Sequence, residues 1–517
     1  MDALQGLMYG FSVSLTATNL LYCALGVVLG TIVGILPGIG PLGGITLLLP
    51  TTFGMEPVSA IIMLAGIYYG AMYGGSTTSI LMNIPGEAAS VVTCFDGYQM
   101  ARKGRAGPAL SIAAIGSYIA GTLSVVGLML LAPLLAGLAL RFGPPEQFSL
   151  MVLGLIILAY MGTGSVLKSM MMIVLGLAVA MVGIDHLSGF SRFTHGRVEL
   201  GDGVSFLAVA MGLFGVAEIL VNVEQKVVRE IIKPKLSALL PTREDWKRSR
   251  GPILRGSVVG FLIGILPGAA HIISTFVSYA MEKRLARHPE EFGTGRIEGV
   301  AGPESANNAA TGGAMIPFLA LGIPSSPATA TMMVALLIHG VKPGPVLMEQ
   351  HPEVFWGLIA SMYIGNAMLL ILNLPMVGLF VNLLRVPQHV LFPAILLVCF
   401  VGVYSVNLSG TDLWIMGISG VAGYLLRKLR FDPAPIVLAM VLGPMMEQAL
   451  RQGLMMSRGE FGIFLSRPIS AVMLAGAVVI LLAHLVTLVR RGYARRGGKG
   501  AEALPVERPA SMSRGGG

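Results

Sequence analysis

Residues 304–313 read ESANNAATGG. Ser305, Asn307, Asn308 and Thr311 add four amide or hydroxyl side chains to the Glu304 carboxylate in an otherwise apolar span. On a helix Ser305 and Asn308 share a face, as do Asn307 and Thr311. Such groups donate hydrogen bonds to an anion or offer oxygens to a hard cation. Glu304 has three readings: cation ligand, proton carrier, or salt-bridged structural carboxylate. A second cluster lies in YYGAMYGGSTTSILMNIPGEAAS, residues 68–90. Ser76, Ser79 and Asn83 fall at i, i+3 and i+7 on one helical face, and Thr77 and Thr78 add hydroxyls. A lone Ser or Gly in an apolar helix is explained by packing against a neighbour. A carboxylate clustered with amides is costly there unless it is used.

No enzyme signature competes. The chain has no HExxH pattern and no GxxxxGK[ST] phosphate loop. Ser305 with His271 is the one nucleophile and base pair that can be assembled, as an intramembrane hydrolase would require. Cys23, Cys94 and Cys399 are too far apart for a zinc, haem or iron–sulfur spacing. No metal is expected beyond a transported cation, and no bound cofactor.

The elements that hold these clusters must be membrane helices. Hydrophobic residues make up 54% of the 517 positions and charged residues 12%, against about 25% charged in soluble domains. Mean hydropathy is +0.78. Residues 57–86, 106–140 and 388–411 contain no Asp, Glu, Lys or Arg, and roughly 20 such residues suffice to span a bilayer. The net charge of +9 resides in loops and in the tail RRGYARRGGKG. It follows the positive-inside rule and does not point to nucleic acid.

The same helices are broken in matching places. GILPG occurs twice, with Pro267 standing 230 residues after Pro37 (267 − 37). NIPG at 83–86 answers GIPS at 322–325, adding Pro85 and Pro324 to the breaks. Residues 115–142 align without gaps to 359–386, pairing Arg141 with Arg385. A break beside lipid leaves backbone groups unsatisfied, so it is tolerated where it lines a cavity. Helix N-termini then face anions, and unwound carbonyls can hold a cation such as Na⁺. Gly38, Gly40, Gly268 and Ser325 join the candidate substrate or cation site on this ground. With no Arg or Lys in 57–86 or 299–330, the donors expected there are backbone N–H groups, hydroxyls and amides.

The expected fold is an all-α polytopic membrane protein. It has two inverted repeats with broken helices or re-entrant hairpins, and about 10–12 membrane segments. Inversion follows from loop charge. Counting apolar runs back from the basic linker puts Arg102, Lys103 and Arg105 on the cytoplasmic side. Counting back from RKLR at 427–430 puts the equivalent Lys342 outside. The expected divisions are a first repeat (1–220), a basic cytoplasmic linker (221–252) and a second repeat (253–450). A C-terminal membrane helix (451–490) and a disordered cytoplasmic tail (491–517) follow. With no nucleotide motif, coupling to Na⁺ or H⁺ is expected.

GILPGIGPLGG (34–44), the stretch YYGAMYGG…GRAGPAL (68–110) and GPESANN…GVKPGP (302–345) resemble the large membrane subunit of tripartite tricarboxylate transporters, the TctA family. The likeness extends over roughly 15–490. It implies a bacterial inner-membrane permease working with a small membrane subunit and a periplasmic solute-binding protein. It also implies an organic carboxylate as substrate and an ion gradient, often Na⁺, as the energy source. A stand-alone ion-coupled transporter or exporter, a channel and a homo-oligomer remain compatible with the residues.

Overall fold

The computed structural model describes residues 3–36, 39–161, 165–185, 188–224, 239–379 and 388–497. Pro37 and Gly38, with residues 225–238 of the basic linker, Arg385 and the tail beyond Gly497, lie outside the described residues. Helices α1 (Ala3–Ser14) and α2 (Ala17–Ile35) precede the first break, α3 (Gly40–Leu48) follows it, and α4 (Pro57–Met82) comes next. Then come α5 (Val91–Arg102), α6 (Ala106–Ala139), α7 (Pro144–Met161), α8 (Val166–Ala180) and α9 (Phe206–Glu224). After the linker follow α10 (Arg243–Gly264), α11 (Ala270–Leu285), α12 (Glu298–Ile316) and α13 (Pro327–Ile338). The last are α14 (Pro352–Asn373), α15 (Gln388–Asn407), α16 (Gly410–Lys428), α17 (Ala434–Met456) and α18 (Pro468–Gly497). Among the described residues, strand is confined to Gly183–Ile184 paired with Ser191–Arg192.

Five of these helices, α2, α4, α6, α9 and α14, are long and apolar enough to cross a membrane unaided. Others, such as α7, α8 and α13, are apolar but shorter. Local sequence sets the ends. Helix α2 stops at Ile35, just before Pro37. Helix α4 starts with Pro57 and ends at Met82, capped by Asn83, which takes the left-handed conformation with φ 55°. Beyond α12 a π turn over Pro317–Leu321 ends at Gly322, with φ 68°. Asn83 and Gly322 stand 239 residues apart (322 − 83), the spacing of NIPG and GIPS. Thr242 and Asp245 close a capping box, so α10 begins at Arg243, inside the stretch expected to be linker. Helix α17 runs through position 450, the expected end of the second repeat. Helix α18 continues to Gly497, into the stretch expected to be disordered.

The core is built from two like pairs, α2 on α4 and α10 on α12. A Cβ on Gly26, Gly30 or Gly34 would lie 2.3, 2.6 or 2.1 Å from the carbonyl oxygen of Met63, Ile67 or Ala71. One on Gly256, Gly260 or Gly264 would lie 2.3, 2.1 or 2.5 Å from that of Gly302, Ala306 or Ala310. The two glycine ladders are again 230 residues apart (256 − 26). Small residues let membrane helices approach backbone to backbone, where dispersion and interhelical polar contacts drive association. Helix α4 is buried along its length, from Val58 to Met82. Towards the linker, Arg105 pairs with Asp245, Arg248 with Glu298 and Arg255 with Glu282. Asp96, fully buried, accepts from Tyr279 and from the backbone N–H groups of Gly293, Gly295 and Arg296.

Placing a valine at position 30 should force α2 and α4 apart and cost about 1–3 kcal/mol or more by overpacking. Gly137 has nothing within 4 Å of an added Cβ. Thermal unfolding in detergent should show a clear loss for Gly30→Val and none for Gly137→Ala; equal behaviour would contradict the ladder.

Candidate functional site

A cavity of about 970 Å³ lies where the helix breaks meet. Four helix beginnings at the breaks line it: Gly40 and Pro41 of α3, Glu87 and Ala88 before α5, Ala269 and His271 at the start of α11, and Ser326 to Ala328 of α13; Ser165 and Pro433 to Pro435, at the starts of α8 and α17, line it too. Each beginning leaves backbone N–H groups without intrahelical partners and carries partial positive charge. Four together make an environment for an anion. Two beginnings are closed by capping boxes, Glu87 with Ser90 and Ser326 with Thr329. Gly40 (φ 62°) and Gly268 (φ 131°) adopt backbone that an L side chain resists. Gly268 N–H donates to Ser325 O (2.9 Å), tying the third break to the fourth.

The caps are reached from across the molecule. Asn307 Nδ2, from α12, donates to Glu87 Oε1 (2.9 Å), while Ala89 N–H donates to Glu87 Oε2 (2.7 Å). Tyr68, from α4, places its hydroxyl 3.5 Å from Ser326 Oγ and 3.1 Å from His271 Nε2. Tyr68 and Asn307 are separated by 239 residues (307 − 68), as are Glu87 and Ser326 (326 − 87). Each half's central helix thus touches the other half's cap. The pattern recurs beneath: Asn308 Nδ2 donates to Ser117 Oγ (2.7 Å), and Tyr69 OH donates to Ser361 O (3.4 Å).

Of the residues singled out from sequence, Gly40, Pro85 and Gly268 line the cavity. Asn307 reaches it through Glu87, and its Oδ1 is buried with no partner. The Ser76 and Thr93 hydroxyls both donate to the fully buried Glu304, which has no basic partner among the described residues. The salt-bridged reading of Glu304 therefore falls away. Ser76 and Thr77 face a void of about 10 Å³, not the large cavity. Thr78 donates to Ile35 O, Ser79 to Gly75 O, Thr311 to Asn307 O, and Ser325 to Ala314 O. These hydroxyls are spent on backbone carbonyls, Ser79 and Thr311 within their own helices and Thr78 on α2. Pro267 and Pro324 sit in the third and fourth breaks, outside the cavity lining. Asn83 does not share the Ser76 and Ser79 face, because α4 ends at Met82 and Asn83 caps it in the left-handed region, exposed. Ser305 Oγ is buried without a partner and His271 Nε2 meets Tyr68, so the hydrolase pair is not formed.

Six residues went unread in the sequence. Glu87 sits beside NIPG, and Tyr68 and Ser326 obey the 239-residue spacing, so the repeat itself held the signal. Lys168, Arg427 and Arg430 also line the cavity, although no cation was expected among its donors. They come from α8 and the end of α16, far from the repeat motifs. Lys168 donates to Leu429 O (2.6 Å) and stands 4.4 Å over the Phe431 ring, and Arg427 pairs with Glu218. Arg430 is exposed, with no ion-pair partner among the described residues.

A family model described as "Tripartite tricarboxylate transporter TctA family" matches residues 20–438. An uncharacterized 52.8 kDa protein of Agrobacterium vitis, named for the TAR-I ttuC' 3' region, is 48% identical over 490 residues. That match covers 95% of this chain and 98% of the relative. Another uncharacterized A. vitis protein, named for the TAR-II ttuC' 3' region, is 46% identical over 230 residues, covering 44% of this chain and 95% of the relative. No solved structure matches.

The contact between Asn307 and Glu87 can be weighed by a double-mutant cycle. Asn307→Ala, Glu87→Gln and the double variant, compared by thermal unfolding, should show a coupling of about 0.5–3 kcal/mol. Strict additivity would mean that the two side chains do not bond.

Proposed function

We propose that this chain, which belongs to the tripartite tricarboxylate transporter TctA family, is the permease subunit of an importer of tricarboxylates or related organic carboxylates. Four helix beginnings converging on one cavity carry the reading. They supply N–H donors and positive potential to a multiply charged anion from the backbone itself. Lys168, Arg427 and Arg430 line the cavity as well, together with the carboxylates of Glu87, Glu218 and Asp432, so side-chain charges of both signs accompany the backbone donors. In this reading the permease receives its substrate from a periplasmic binding protein and works with a small membrane subunit.

Coupling to an ion gradient follows from electrostatics. Glu87 and Glu304 are carboxylates with no basic partner among the described residues. Two unit charges 4 Å apart interact by about 4 kcal/mol at an effective dielectric constant near 20. An anionic substrate beside Glu87 therefore calls for Na⁺ or H⁺ with it. Cation and substrate loading are then linked, each favouring the other by the same factor.

Inversion of the two repeats is part of the proposal. Helices α4 and α12 occupy equivalent places, yet the end of α4 meets the start of α12 through Ser76 and Glu304. The start of α10 packs beside the 102–105 loop through Arg105 and Asp245, while the start of α2 lies near α14, where Ser14 Oγ donates to Gly357 O (2.7 Å). These opposed ends support an inverted pair, and the basic charge of the linker and tail is the ground for reading both as cytoplasmic, in an inner membrane.

Proteoliposomes containing this chain and its two partners should accumulate labelled citrate when a Na⁺ or H⁺ gradient is imposed. Uptake that needs ATP and survives collapse of both gradients would contradict ion coupling, and full uptake without partners would favour a stand-alone transporter. For topology, single cysteines at 103 and 342 in a cysteine-free background should label from the cytoplasm and the periplasm respectively. Labelling from one side alone would refute inversion.

A further inference from the structure

We propose that His271 is the residue that grips a substrate carboxylate, through Nδ1–H, with Tyr68 setting the tautomer that makes this possible. The inference rests on the reading of the cavity as a carboxylate site and adds the side chain that selects the ligand. His271 lines the cavity in the first turn of α11 and is only 9% exposed. Its Nε2 lies 3.1 Å from Tyr68 OH, and its Nδ1 has no hydrogen-bond partner among the described residues. A neutral imidazole carries one N–H and one acceptor nitrogen, and the bond made at one nitrogen decides the role of the other. When Tyr68 O–H donates to Nε2, Nδ1 bears the proton and becomes a donor available to a ligand in the cavity that His271 lines. Tyr68 is itself fixed, since it belongs to the buried helix α4 and its oxygen lies within 3.5 Å of Ser326 Oγ.

The neighbours make this an anion subsite. Ser326 caps α13, and Pro327 and Ala328 of its first turn line the cavity beside the start of α11. Two helix beginnings and a neutral donor then converge. The equivalent of His271 in the first half is Pro41 (271 − 230), which has no donor at all. The equivalent of Ser326 is Glu87, an acceptor. The second-half cap is therefore the one that welcomes a carboxylate, and the first-half cap repels it. A substrate with carboxylates of unequal reach would enter in one orientation.

The side-chain amide of Asn mimics Nδ1 of histidine, and that of Gln mimics Nε2. Uptake of labelled citrate by proteoliposomes holding the chain and its partners should distinguish them. His271→Asn should keep KM within about threefold of the parent, whereas His271→Gln should raise it tenfold or more, the loss of one hydrogen bond to a charged group. Tyr68→Phe frees the tautomer and should raise KM by several-fold, with folding, checked by size-exclusion profile, unchanged. If the parent transports citrate and His271→Gln matches it, or if His271→Asn and His271→Gln fail equally while folded, the assignment to Nδ1 is overturned although the transport reading stands. If the parent transports neither citrate nor other di- and tricarboxylates, the transport reading falls and the assignment with it.

Discussion

Everything in this molecule depends on how closely α2 can approach α4, and α10 approach α12. Glycines at four-residue intervals bring backbone against backbone, with no room for even one methyl group. In lipid, apolar side chains gain little by meeting each other, so close van der Waals packing must supply the cohesion. Once the ladders are zipped, the chain that continues past each ladder is fixed in place. It is there, directly after Gly34 and Gly264, that each helix stops. Rigid ladders and broken continuations are one design, because a break is useful only if its loose ends are held at a set distance from a ligand.

The cavity combines backbone dipoles with formal charges of both signs, since Glu87, Lys168, Glu218, Arg427, Arg430 and Asp432 all line it. Backbone N–H groups at helix beginnings are fixed dipoles that need no counter-ion and no desolvation of an ammonium or guanidinium group. Full positive charge comes from Lys168, Arg427 and Arg430, two of which are already occupied by a carbonyl or a carboxylate. Glu87, on the cavity lining, and Glu304, buried away from it, both accept hydrogen bonds and have no basic partner among the described residues.

Much of the fold could be read from residue pattern, because membrane spans and duplicated breaks are written in local sequence. GILPG and the NIPG and GIPS pair marked the repeat, and the capping boxes at Glu87 and Ser326 lie directly beyond them. The 230-residue register of the glycine ladders was equally present but needed the partner helix to give it meaning. Asn83 misled because a three- and four-residue spacing presumes that the helix continues, and here it ends one residue earlier. Hydroxyls at Thr78, Ser79 and Ser325 misled for another reason. Side-chain bonds back to carbonyls look the same in sequence as ligand contacts. Lys168, Arg427 and Arg430 could not be found by pattern, since tertiary folding alone carries α8 and α16 to the cavity.

The crossed contacts also bear on how such a protein is made. Glu87 and Ser76 are synthesised more than two hundred residues before Asn307 and Glu304, which bond to them. While the ribosome is still producing the linker, the first half already lies in or beside the bilayer with its polar interior incomplete. Those groups have only water, the insertion machinery or one another as interim partners. The polar interior of the first half is therefore completed only when the second half arrives to bond with it.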